Sequence, residues 1–220
     1  MLLLISSLLL MSCGADKYMK KGEKFLALGE YYDAADQFKQ AYTRTPAKER
    51  DTRGKRALKM AQCYQRINAT PKAIAAYRNA IRYNQASKED QLAYARQLLK
   101  NGDYRQAEKV FLMLKDSMPG NQLVANGLKS AQMAPEWKKQ GSRYIVKRMD
   151  VFNSRRHDYS PVLFGDDYDQ LYFTSTRNEA LGDELSGITG TKAGDIFLSE
   201  KDDRGKWSKP EAIGTGLNTD

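Results

Sequence analysis

Small and aromatic positions recur along residues 15–121 in three copies. The copies read "KYMKKGEKFLALGEYYDAADQFKQAYTRTP", "RALKMAQCYQRINATPKAIAAYRNAIRYNQ" and "QLAYARQLLKNGDYRQAEKVFLMLKDSMPG". In each, a Gly or Asn (Gly29, Asn68, Gly102) is followed two residues later by Tyr31, Thr70 or Tyr104. An alanine comes next (Ala34, Ala73, Ala107), then an aromatic (Phe38, Tyr77, Phe111), then Ala41, Ala80 or Leu114. Spacings of four and three keep these positions on one helical face. The turn residue before each stripe predicts two antiparallel helices per copy, because Gly and Asn tolerate the left-handed conformation such a turn needs. Small alanines allow close helix approach, and Pro46 and Pro119 stop the second helix in the first and third copies, where Gln85 stands in the second. Ala73 and Ala107 are 34 residues apart, Ala34 and Ala73 39 apart, so five extra residues lie around "AKERDTRG". The following "NQLVANGLKSAQM", to residue 133, predicts a cap helix of the kind a repeat array needs at its end.

After residue 134 the period changes. "APEWKKQGSRYIVKRMDVFNSRRHDYSP" is punctuated by Pro135 and Gly141 and carries seven basic residues between Lys138 and Arg156, against one acid, Asp150. Residues 134–157 are expected to form a basic linker and an edge strand. Short β-rich runs then follow: "SPVLFGD", "YDQLYFTSTR", "GDIFLSE" and "DDRGKWSKPEAI". With Asp202, Asp203 and Gly205 marking a turn, they predict an antiparallel meander over 158–220. The fold class is α + β in two regions: an all-α solenoid, then a partial antiparallel sheet.

The start, "MLLLISSLLLMSC", is apolar or small for its first 12 residues. About 20 are needed to cross a bilayer, so the run suits a signal-peptide core better than a span. Leu10 stands three before Cys13 and Ser12 directly before it. This resembles the bacterial lipobox. The resemblance implies a signal at 1–12, cleavage before Cys13, and acylation of the cysteine's thiol and new amine. Several acyl chains together anchor stably where one does not.

The chain carries 36 basic and 27 acidic residues, a net charge of +9. That balance suits an acidic or anionic partner surface, yet an export signal argues against nucleic acid. Two cysteines and one histidine exclude a disulfide framework and disfavour a multi-histidine metal site or a histidine triad. Cys63, inside a helical stripe, reads as a small core residue. "GITGTKAG" lacks the spacing of a phosphate loop. His157 has no metal-ligating companion, and Asp166, Asp167 and Asp169 lack a calcium-loop pattern and read as a hairpin turn. No catalytic, metal or cofactor site is expected, and the protein is read as a non-enzyme.

The three copies, 15–48, 54–87 and 88–121, resemble the tetratricopeptide repeat, whose period is about 34 residues. That resemblance implies a solenoid over 13–133 presenting the first helix of each repeat on a concave face. Carried over, it places Lys55, Gln62 and Arg66 on one stripe and Glu89, Arg96 and Lys100 on the next. The expected groove is mostly basic and suits an acidic peptide or chain terminus. Residues 158–220, through "DYSPVLFGD", "LYFTSTR", "GDIFLS" and "GKWSKPEAI", resemble one blade of a WD40-like or TolB-type β-propeller. Lipobox, tetratricopeptide repeats and propeller in this order resemble the OmpA-family envelope lipoproteins of the Bacteroidota, notably the PorE-type members associated with type IX secretion. The resemblance implies an outer-membrane lipoprotein facing the periplasm. It would hold envelope or secretion-complex proteins and be anchored in the membrane through Cys13. The chain is expected to be truncated within the propeller, and peptidoglycan binding is expected only if a C-terminal OmpA-like domain follows in the full-length gene. The alternative is the non-catalytic N-terminal part of a propeller-containing hydrolase or glycan-binding envelope protein.

Overall fold

The structure is a computed structural model that describes residues 2–218, with side chains described from Gly14 onward. Cys13 therefore lies outside the described side chains. Two compact units form, Met1–Ser142 and Arg143–Asp220.

The first unit is helical: α1 (Leu2–Ala27), α2 (Tyr31–Arg44), α3 (Arg50–Arg66), α4 (Thr70–Arg82), α5 (Lys88–Lys100), α6 (Tyr104–Ser117) and α7 (Gln122–Gln140). Within a pair, α1 packs on α2, α3 on α4 and α5 on α6. Successive pairs meet through α2–α3 and α4–α5, and α7 closes the array against α6 and α5. The turns inside the three pairs are alike. Gly29, Asn68 and Gly102 adopt φ of 78°, 57° and 83°. The next residue's N–H then reaches back to the carbonyl five positions earlier: Glu30 to Phe25, Ala69 to Tyr64 and Asp103 to Leu98, each at 2.9 Å. These bonds satisfy carbonyls that a helix end leaves open.

The predicted stripe is the core. Ala34, Phe38, Ala41, Ala73, Ala80, Ala107 and Phe111 are fully buried, and Tyr77 and Leu114 nearly so. Close approach is real at Gly22, where an added Cβ would sit 2.6 Å from the Phe38 ring. The five extra residues between the first two copies are absorbed by a turn after Pro46 and a longer leading helix, with α3 spanning 17 residues against 13 for α5. Buried Arg56 on α3 ties three helices together: it donates to the Ala41 carbonyl (3.2 Å), to the Thr45 hydroxyl and to the Asp16 carboxylate on α1. Burial pushes the Cys63 thiol up to about 11, with Lys59 opposing weakly. The thiol is accordingly held protonated as a core group.

The second unit is a meander, β1 (Asp158–Phe164), β2 (Gln170–Ser175), β3 (Asp195–Glu200) and β4 (Glu211–Ala212), antiparallel in the order β1-β2-β3-β4. Alternate residues point inward: Leu171, Phe173 and Ser175 on β2, and Asp195, Phe197 and Ser199 on β3. Phe152 and Trp207 cover this face, 5.2 Å apart ring to ring. Arg177 lies buried with its guanidinium 5.0 Å and 4.8 Å from the Phe173 and Phe197 rings. It donates to Asp158 (2.8 Å), Ser175 (2.9 Å) and the Phe152 carbonyl (2.6 Å). β4 is only two residues long, and Asn218 continues its role with a side chain. The Asn218 amide accepts from Ile196 N–H (2.9 Å) and donates to the carbonyls of Ile196 (3.0 Å) and Ile213 (2.6 Å).

The boundary region differs from expectation. The helix expected to end at 133 continues as α7 to Gln140 and contains Pro135. Proline removes one N–H and crowds the carbonyl four residues back. Here that carbonyl belongs to Ala131, the last residue of α7 that packs into the core, and the final turn beyond it runs exposed until Gly141 (φ 72°) ends it. No strand forms between 141 and 157. The edge strand is β1, beginning at Asp158, where the carboxylate finds Arg177, Ser175 and Ser154.

Candidate partner-binding groove

The carried-over positions are all exposed, and the helices gather them unequally. An open cleft of about 420 Å³ runs between the C-terminal half of α3 and the start of α5. Gln62, Arg66 and Glu89 line it, joined by Tyr31, Gln65 and Asp90. Lys55, near the start of α3, Arg96 and Lys100 lie outside its lining. Lys100 instead donates to the Asn68 side chain (2.7 Å) in the preceding pair's turn.

The cleft's charge is mixed, and a mostly basic groove does not describe it. Gln62 donates to the Asp90 carboxylate (3.1 Å), and Asp90 also completes the cap of α5 by accepting from the Ser87 N–H (3.0 Å). Arg66 holds its guanidinium 5.7 Å from the Tyr31 ring, a separation at which the ring face attracts a cation. The Tyr77 hydroxyl donates to Gln65 (2.6 Å) from the floor. Burial, with Asp90 adding to it, pushes the Tyr77 phenol up to about 12, so this donor stays protonated across the neutral range. Two aromatic rings, one guanidinium, two amides and two carboxylates thus meet in one trough. Such a set can hydrogen-bond a peptide backbone and read charge of either sign; it holds no activated nucleophile. Gln62, Arg66 and Glu89 are among the positions carried over from the repeat resemblance. Tyr31 and Asp90 were missed because they come from a second helix of one pair and from a capping position.

Elsewhere the sites weighed in the sequence are occupied structurally. Lys192, which a phosphate loop would need, donates to the carbonyls of Asn178 (3.2 Å) and Ala180 (3.0 Å) and pairs with Asp183. Gly165 (φ 90°) and Tyr168 (φ 50°) form the hairpin turn that carries Asp166, Asp167 and Asp169. Among the described residues no group of three or more His, Cys, Asp or Glu could hold a metal ion. Among them, too, no helix is long and apolar enough to cross a membrane.

Three helix pairs with one turn geometry and a repeated alanine–aromatic stripe define a helix-pair repeat array. No family model matches the chain, and no curated protein does. Solved structures similar to it are tetratricopeptide domains. One is the first such domain of Spaghetti (RPAP3) bound to an HSP90 peptide, at 18% identity, 57% of this chain, 96% of that chain and a TM-score of 0.46. Another is the C-terminal domain of an FK506-binding protein of Plasmodium falciparum, at 15% identity, 60% and 94% coverage and a TM-score of 0.49. A third is the Sgt2 domain from Aspergillus fumigatus, at 19% identity, 62% and 88% coverage and a TM-score of 0.44.

Proposed function

We propose that this protein is a scaffold whose helical unit captures a segment of a partner protein in the α3–α5 cleft, and that it works anchored at a cell envelope. The observation that carries the reading is the cleft itself. It exposes donors and acceptors of both signs over an aromatic floor, and its walls are held by Gln62–Asp90 and Tyr77–Gln65 before any partner arrives. A preformed wall lowers the ordering cost of binding. Acylation at Cys13, a periplasmic location and service in a type IX secretion or related envelope complex are the finer parts of this proposal, supported by the lipobox-like start and the order of regions. The sheet unit fits as one blade of a propeller, supported by its meander order and by the open apolar side of β1.

The test is affinity purification from envelope extracts with quantitative mass spectrometry, comparing the wild type with the triple variant Gln62→Ala, Arg66→Glu, Glu89→Lys. At least one protein should fall tenfold or more in recovery. An unchanged set of captured proteins would remove the cleft from the proposal. Fractionated at ~1 M salt, where surface charge is screened, Cys13→Ala should move the chain from the membrane pellet to the soluble fraction, and an unaltered distribution would remove the anchor.

A further inference from the structure

Each helix pair after the first buries one stripe of its leading helix against the pair before it. On α3 that stripe is Arg56, Lys59, Met60 and Cys63, with Arg56, Met60 and Cys63 at 6%, 8% and 1% exposure. On α5 it is Asp90, Ala93, Tyr94 and Gln97, the first two half-buried at the cleft and the last two at 8% each. The repeat register set by Ala34, Ala73 and Ala107 carries this stripe onto Lys17, Lys20, Lys21 and Lys24 of α1. All four lysines are exposed. At 3.6 residues per turn they fall within a sector of about 100° and about 10 Å along the axis. Asp16 lies beside the four lysines on this surface but is engaged by Arg56, and Glu23 belongs to the flank.

We propose that this lysine edge of the solenoid docks onto an anionic lipid surface. On α3 the stripe's Arg56 is buried with partners supplied by α1 and α2, whereas on α1 it carries four exposed ammonium groups, a charge that favours a negative partner. Ammonium groups on flexible stems act as point charges and suit diffuse headgroups better than one forked ligand. Lys17 lies four residues after Cys13, so the edge stands next to the bilayer whether the apolar run of residues 1–12 is retained in it or is exchanged for acyl chains at Cys13. The proposal rests on neither the cleft nor acylation of Cys13, and its test is arranged to be independent of both.

The full chain carrying Cys13→Ser is sedimented with vesicles of phosphatidylglycerol and phosphatidylcholine in equal parts, and with vesicles of phosphatidylcholine alone. Binding is expected to the mixed vesicles at low salt, with release at ~1 M salt, where the screening length falls to about 3 Å. Each lysine near such a surface is worth about a fivefold change in partition. The variant Lys17→Gln, Lys20→Gln, Lys21→Gln, Lys24→Gln should therefore lose several hundredfold, with its helical circular dichroism intact. Lys138→Gln, Lys139→Gln, Lys147→Gln, Arg148→Gln removes equal charge from the other basic stretch and should bind nearly as the parent does. Equal binding to both vesicle types, or survival of binding in the α1 variant, overturns the proposal. So does loss confined to the second variant, or tighter binding to soluble polyglutamate than to vesicles, which would assign the edge to an acidic protein.

Discussion

Two arginines organise the two units, and each is buried with its partners supplied. In the sheet unit Arg177 and Asp158 pair at 2.8 Å with side chains only 8% and 10% exposed. Burial alone would push the Asp158 carboxyl up, but hydrogen bonds from Ser175, Arg177 and Ser154 outweigh it and hold the group below the usual carboxylate range. A depressed folded pKa adds stability that is complete above the unfolded value, about 3.9, and is lost as pH falls through the folded one. Urea unfolding followed by Trp207 fluorescence, in a Trp137→Phe background, should therefore show the sheet unit weakening below about pH 4. Asp158→Asn should remove that acid dependence and cost about 3 kcal/mol at neutral pH, because Arg177 would remain buried without its counter-charge. A variant with unchanged stability and an unchanged acid limb would show that the pair is not the organiser. Neither arginine was legible in the sequence. Their roles come from partners 40 residues away for Arg56 and 19 away for Arg177, and no local period marks such a pairing.

At the scale of the element, the helix pairs were legible because one local requirement repeats. A left-handed residue, a small residue and an aromatic stand at fixed intervals, and each has a single steric reason. Gly22 tests that packing. Alanine there gains roughly 1 kcal/mol of helix propensity, but its Cβ meets Phe38, a fully buried ring. Overpacking of about 2 kcal/mol outweighs the gain, so Gly22→Ala should lower the thermal midpoint of the helical unit. Gly14→Ala, with nothing within 4 Å of the new methyl, should leave it unchanged or slightly raised. Equal midpoints for both variants would mean that the Phe38 ring yields freely. The elements misjudged from sequence sit where local rules compete. Pro135 favours a break, yet it stands in the last turns of a helix already held by Val124, Gly127 and Ala131. Edge strand β1 begins where the Asp158 network is made, a tertiary event invisible to a window of neighbours.

For the whole molecule, the change of hydrophobic period near residue 134 located the passage between two kinds of structure. The segment 141–149 has no helix or strand, and Tyr144, Ile145 and Val146 are 80%, 86% and 92% exposed. Limited proteolysis should cut here first, trypsin at Arg143, Lys147 or Arg148, and release two fragments that mass spectrometry assigns to residues before and after the cut. First cleavage inside a helix pair would contradict this division of stability. The cleft residues were half legible: the carry-over from the repeat resemblance reached Gln62, Arg66 and Glu89 on α3 and α5, whereas Tyr31 entered only through the three-dimensional approach of α2.

The lysine edge of α1 has one more consequence, for how copies of the chain meet in solution. Helix-pair arrays have open ends, and an apolar end invites a second molecule to stack and continue the array. Two such edges brought face to face would oppose eight ammonium groups within the screening length of about 8 Å at physiological salt. Head-to-head growth through this edge is thereby discouraged, and the α1 edge is kept for something of opposite charge.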